Sequence, residues 1–372
     1  MFTRHLILTL CLAAVLGVHA QVKKISGALD GVGYTVLMPE AWNGSLIMYA
    51  HGYAFMGSPL QSENPNFADG MQVFLEKGYA IAASDYAYQG FALAQGVDDT
   101  ELLRKYFISQ YGTPKQTLMV GHSMGGGITL AMLENFGEFY DGGLALCPLS
   151  SRPYLQCRKE YDMYATFNGL FPGVITSLHD IFDVSKPFKA QDSRKMMQKA
   201  QEITQQIVAQ DSTLGVAFAK RFDLKFQDLP FSLFFNENVL RDLAQKAGGN
   251  PFDNTQTVYS GFPNDWEVNQ KAERLRATAD PDLIFSKYDR TGGIQKPVVL
   301  VHTIYDQLIP PTYGVSNFEN MVIAQGNTDL LAVRYTQGQA HCQFTPDQTR
   351  EAFESLLSWL GTGQKAPSGP LE

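Results

Sequence analysis

The most constraining feature of the chain is a series of short, uninterrupted apolar runs separated by helix-length stretches. Ser45 to Ala50, Ala80 to Ser84, Thr117 to Gly121, Gly142 to Cys147, Pro297 to His302 and Leu330 to Tyr335 each read as a buried strand. Asn66 to Lys77, Thr100 to Tyr111, Met124 to Phe136 and Pro346 to Leu360 read as helices between or after them. A strand that is apolar at nearly every position must be covered on both faces, and parallel neighbours need a crossover long enough to hold a helix. The pattern predicts an α/β fold: a mostly parallel sheet flanked by helices. Lys24 to Met38, with Gly27, Gly31 and Gly33, suits an antiparallel hairpin on the sheet edge.

The rhythm breaks between Leu149 and Ile294, where the chain is helix-rich, polar in places and aromatic around Phe231 to Phe235. Because strand signals resume at Pro297, this stretch reads as an insertion rather than a second domain in sequence. The expected organisation is an α/β core of residues 21–148 and 295–362 and a helical cap of residues 149–294. The cap enters between the sixth and seventh core strands. Residues 363–372, with Gly, Pro and Ser, read as a flexible tail.

Residues 1–20 read as an export signal. Arg4 precedes the apolar stretch Leu6 to Val18, and Val18-His19-Ala20 places small residues at −3 and −1 for cleavage after Ala20. The apolar stretch is shorter than the roughly 20 residues that span a bilayer. Cleavage leaves 28 basic residues against 37 acidic, a charge of −9 compared with −8 for all 372 residues. With no cluster of Lys and Arg, nucleic acid is a poor partner. No later apolar run is long enough for a membrane span. The mature chain is expected to be secreted or periplasmic, where disulfides form. It keeps Cys147, Cys157 and Cys342, enough for at most one intramolecular bridge.

The chemistry centres on Gly121-His122-Ser123-Met124-Gly125, a G-x-S-x-G placed directly after a buried strand and before a helix. Small residues on both sides of so sharp a turn let the serine take a strained backbone and expose its hydroxyl. A serine hydroxyl needs a general base, usually a histidine oriented by a carboxylate. Of His51, His122, His179, His302 and His341, only His341 sits in a loop between the last strand and the last helix. Asp306, just past the end of the strand that contains His302, is the natural orienting acid. Asp282 and Asp289 both precede that strand. His51 reads as a structural histidine of the loop it occupies, and His122 as a packing neighbour of the serine.

The chain order serine, aspartate, histidine resembles the α/β-hydrolase superfamily, over about Ser45 to Pro148 and Lys296 to Leu360. More narrowly it looks like a secreted serine esterase or lipase-like member with an inserted cap. The resemblance implies Ser123 as nucleophile, His341 as general base and acid, and Asp306 as the acid member. It also implies an oxyanion hole from the backbone N–H groups of Tyr53 and Met124, since Tyr49-Ala50-His51-Gly52-Tyr53 closes the first parallel strand. His-Gly-Tyr departs there from the His-Gly-Gly-Gly of many lipases.

No metal or organic cofactor is expected, as the chain has neither His-Glu-x-x-His nor Cys-x-x-Cys. Cys342 directly follows His341, so a bridge from it to Cys147 or Cys157 would brace the histidine loop. Phe171, Phe231, Phe234 and Phe235 hint at an apolar pocket for a bulky acyl group. The expected function is hydrolysis of a small-molecule or lipid-like carboxylic ester through an acyl-enzyme. The alternative on the same fold is a peptidase or aminopeptidase, for which Glu237 and Asp242 are candidate anchors of a substrate amino terminus. An acyltransferase and a non-catalytic binding protein are further alternatives.

Overall fold

The computed structural model describes residues 22–186 and 196–371, so the segment read as a signal peptide lies outside the described residues. Nine strands form one sheet. In chain order they are β1 (Val22–Leu29), β2 (Val32–Pro39), β3 (Leu46–Ala50), β4 (Ala80–Ser84), β5 (Thr117–His122), β6 (Gly142–Leu146), β7 (Val298–Thr303), β8 (Leu331–Thr336) and β9 (Gly369–Pro370). Their order across the sheet is β1-β2-β4-β3-β5-β6-β7-β8-β9. The hairpin β1–β2 and the pair β2–β4 are antiparallel, and every other pairing is parallel.

The helices that matter to the site are α1 (Leu93–Tyr111), α2 (Met124–Asn135), α3 (Pro153–Leu170), α4 (Met196–Arg221), α5 (Leu229–Ala247) and α6 (Pro346–Thr362). Successive strand residues face opposite sides of the sheet, which divides the core into two. Met48, Ala82 and Met119 pack with α1, α2 and the helices that follow β6. Ile47, Ile81, Leu118, Val299 and Val301 pack with Phe353, Leu356 and Trp359 of α6 and with Phe74. Covering on both faces is what lets β3, β4, β5, β6 and β7 be buried almost throughout.

Between β6 and β7 the described residues carry helices and no strand. The stretch predicted as a helix over Asn66 to Lys77 is shorter: a 3-10 turn at Asp69–Met71 leads into Gln72–Leu75. Gly78, at φ 82°, ends it before β4. The tail also differs from its expected flexibility. Gly369 and Pro370 pair with Arg334 and Tyr335 of β8, and Ala366 and Leu371 are buried against the α6 side of the sheet. Strand pairing, hydrogen bonds from the Arg334 guanidinium to Gly369 O and Pro370 O, and the two buried apolar side chains dock it together.

Candidate active site

β5 runs into α2 through Ser123, which adopts φ 58° and ψ −122°. A non-glycine residue there costs about 1–3 kcal/mol and persists only when its surroundings over-determine it. Here they do. Ser123 N–H donates to Leu146 O at 2.9 Å, and Ser123 O accepts from Gly127 N–H and Leu149 N–H at 3.1 and 3.0 Å. The flanking glycines are required sterically: a Cβ on Gly121 would collide with Gly125 O, and one on Gly125 with Ala50 O. The G-x-S-x-G spacing is therefore the condition for bringing α2 against β3.

Asp306 lies past the end of β7, with its side chain buried. Its Oδ1 accepts the N–H groups of Leu308 and Ile309 at 2.9 and 2.8 Å, and its Oδ2 accepts from His341 Nδ1 at 2.7 Å. Burial alone would favour the neutral acid. The His341 hydrogen bond and charge, with His302 beside it, nevertheless hold the carboxyl below its ordinary range. With Nδ1–H committed to Asp306, His341 Nε2 is free to accept, and it stands 2.8 Å from Ser123 Oγ. The backbone N–H of His341 donates to Gln307 Oε1 at 2.8 Å, which ties the loops after β7 and β8 together. The structure thus brings together Ser123, Asp306 and His341, three residues from three loops at one end of the sheet.

Gly52 abuts the serine, as a Cβ there would come within 3.2 Å of Ser123 Cβ. The next residue is Tyr53. Met124 opens α2, and its N–H, like the other first N–H groups of a helix, has no partner within the helix. His51 Nδ1–H donates within its own loop, to Gly52 O at 2.7 Å, and the ring stacks on Tyr86 at 4.0 Å between ring centroids. Half-buried His122 is pushed down to about 4, by desolvation first and then by the charge of His341, so it stays neutral beside the serine. His302 is buried, its Nδ1 2.9 Å from Thr303 O.

A disulfide joins Cys147 to Cys342, and Cys157 is free and buried. It ties the end of β6 to the residue after His341, 195 positions away. One sulfur, Cys342 Sγ, lies 3.4 Å from His341 Nε2. Below, a capping box pins the start of α6: Thr345 Oγ1 accepts from Gln348 N–H, and Gln348 Oε1 accepts from Thr345 N–H. Cys147, His341 and Cys342 are also the group of ligand-type side chains that clusters among the described residues, but both sulfurs are bonded to each other. Closing so long a loop restricts the unfolded chain, so Cys147→Ala/Cys342→Ala should lose about 2–4 kcal/mol of stability. Urea unfolding of the two proteins measures it, and equal midpoints would show that the bridge is neutral.

A narrow pocket with a cavity volume of about 30 Å³ opens at Ser123. Its walls combine Tyr53 and Phe91 of the core with residues of α3 and α5, among them Glu160 and Phe235. Of the four phenylalanines singled out from the sequence, only Phe235 lines it. Phe171 packs on Phe167 inside the helical segment, with 4.9 Å between ring centroids. Glu237 and Asp242 belong to buried pairs instead, with Arg241 at 2.8 Å and Lys246 at 3.2 Å. Sequence reasoning missed Glu160. The available signal was helical spacing, since Gln156, Cys157, Glu160, Tyr161 and Tyr164 fall on one buried face of α3.

A strained serine between a parallel strand and a helix, on a mostly parallel sheet flanked by helices, defines the α/β-hydrolase fold, and this chain has it. No family model matches the sequence. The chain is similar to an o-phthalyl amidase of Xanthobacter agilis, 20% identical over 95% of this chain and 91% of that protein. Among solved structures it resembles feruloyl esterase B of Aspergillus oryzae, with TM-score 0.52 and 12% identity, covering 93% of this chain and 81% of that one. It also matches an esterase of Pyrococcus furiosus, with TM-score 0.48 and 13% identity over 91% of each chain.

Proposed function

We propose that the protein is an exported serine hydrolase that cleaves carboxylic esters through an acyl-enzyme. One observation carries this reading: the hydrogen-bonded series from Ser123 Oγ through His341 to Asp306, at 2.8 and 2.7 Å. Ser123 Oγ attacks the carbonyl carbon while its proton passes to His341 Nε2, and Asp306 stabilises the imidazolium. The N–H groups of Tyr53 and Met124 hold the oxyanion of the tetrahedral intermediate. As it collapses, the bond to the leaving oxygen breaks and that oxygen takes the proton from His341. Water, giving a proton to the same nitrogen, then attacks the acyl-enzyme and frees the acid and the serine.

No step calls for a metal or organic cofactor. The helices between β6 and β7 act as the cap, since α3 and α5 wall the pocket over Ser123. Export is supported by the disulfide, which persists in oxidising compartments. No helix among the described residues is long and apolar enough to cross a membrane. The amidase relative favours a second reading, in which the scissile bond is an amide and His341 protonates a leaving nitrogen.

A fluorophosphonate probe tests the shared chemistry. The expected result is a single covalent adduct on the Ser123 peptide by mass spectrometry, and an adduct elsewhere or none would overturn the assignment. Matched p-nitrophenyl esters and p-nitroanilides of one acid then separate the two bonds. The ester reading predicts the larger kcat/KM for the ester after correction for its intrinsic reactivity.

A further inference from the structure

Three polar atoms around the pocket at Ser123 are buried without a hydrogen-bond partner: Glu160 Oε2, Gln156 Oε1 and the hydroxyl of Tyr53. All three residues line that pocket, whose other walls, apart from Ser123 and Cys157, are apolar. Glu160 is 8% exposed and Gln156 1%. Gln156 is held in place by its other end, since its Nε2 donates to Glu160 Oε1 and Leu308 O at 3.4 and 3.3 Å. The free oxygens of Gln156 and Glu160 are therefore acceptors fixed in one corner of an otherwise apolar wall. Leaving such groups unpaired costs more than forming their bonds gains, so each calls for an explanation, and at a pocket wall a bound ligand is one.

The leaving group of a serine hydrolase must reach His341 to be protonated, and His341 does not line this pocket. The pocket therefore lies on the acyl side of the scissile bond. Resting on the serine-hydrolase reading, we propose that Glu160, with Gln156 and Tyr53, forms a subsite for a protonated primary amine on the acyl group of the substrate. An ammonium offers three donors and no acceptor, which matches two acceptor oxygens and a hydroxyl that can accept. A neutral hydroxyl would satisfy one of them as donor. Charge points the same way: a cation enters a low-dielectric pocket only against a counter-charge. Glu160 is the acidic side chain lining the pocket. Desolvation pushes its carboxyl up to about 7, against the opposing effects of Lys159 and Gln156. A neighbouring ammonium would favour its ionised form. The nearby Asp242 does not line the pocket; its Oδ2 is engaged by Lys246 and by the N–H of Phe91, while its Oδ1 is also buried without a partner.

The test compares benzyl esters of alanine, β-alanine and 4-aminobutyric acid with those of the matching des-amino acids, following released benzyl alcohol. Charge-assisted hydrogen bonds of this kind predict a kcat/KM about 10- to 100-fold higher for at least one amine-bearing ester than for its des-amino partner. In Glu160→Gln that ratio should fall towards one, whatever happens to either substrate alone. A wild-type ratio of one or less throughout, or a ratio unchanged in Glu160→Gln, would overturn the subsite. Circular dichroism of Glu160→Gln, with Glu160→Met as a second variant, separates misfolding from loss of selectivity. Calorimetric binding of the same esters to Ser123→Ala keeps the two proposals apart. Amine-selective binding abolished by Glu160→Gln upholds the subsite even if Ser123 proves not to be the nucleophile. Binding without amine selectivity overturns the subsite and leaves the hydrolase reading standing.

Discussion

Ser123→Ala is expected to lower kcat for ester hydrolysis by about 10,000- to a million-fold while the protein remains folded and binds substrate. In the proposed mechanism Ser123 Oγ is the atom that bonds to the acyl carbon, and it stands 2.8 Å from His341 Nε2. Some rate above that of water should survive, because oxyanion donors and substrate binding are untouched. Alanine inherits the positive φ of 58° and the same backbone hydrogen bonds, so thermal stability should change little. Steady-state kinetics with a p-nitrophenyl ester, beside a melting curve, checks both parts. An unchanged kcat would remove Ser123 from the chemistry.

Asp306→Asn is the second large effect, expected to cost about 10,000-fold in kcat. Asparagine keeps an oxygen for the N–H groups of Leu308 and Ile309, so the loop after β7 should hold. Its amide nitrogen, however, would face His341 Nδ1 and donate to it. That moves the ring proton to Nε2, where it can no longer accept from Ser123. The carboxyl of Asp306 is also held below its ordinary range by His341 and His302 despite its burial. A lowered value in the folded state means that its contribution to stability is present above the ordinary carboxylate range and is lost as pH falls through the lowered value. The difference in melting temperature between wild type and Asp306→Asn should therefore be largest near neutrality and shrink in acid. A difference independent of pH would show that the ionised carboxylate does not contribute to stability.

Much of this was legible in the residues because it depends on local rules. Six apolar runs located six parallel strands, with ends displaced by a residue or so, because a strand buried on both faces is apolar at nearly every position. The antiparallel edge hairpin and the turn at Ser123 were readable for a similar reason, since glycines mark where the backbone must turn sharply or approach another strand. The docked tail was not legible. Its composition is that of a loop, and what orders it is pairing with β8 and the packing of Ala366 and Leu371 against a sheet face made by distant residues. The pocket was misjudged for the same reason. Phe231, Phe234 and Phe235 are near one another in sequence and Phe171 is distant, yet once α3 and α5 are packed only Phe235 lines the pocket, and Glu237 and Asp242 turn out to be tied to Arg241 and Lys246.

The sequence by itself determined the α/β class, the strained serine turn and the order serine, aspartate, histidine, because periodicity and turn chemistry act over a few residues. Only the tertiary structure decided which cysteine pairs with Cys342 and that His341 reaches a serine 218 positions away. It also placed Glu160 in the pocket wall with a buried oxygen unpaired. Those outcomes depend on how the two core segments close on each other and on how α3 and α5 settle over them. Such long-range packing leaves no periodic trace in the chain.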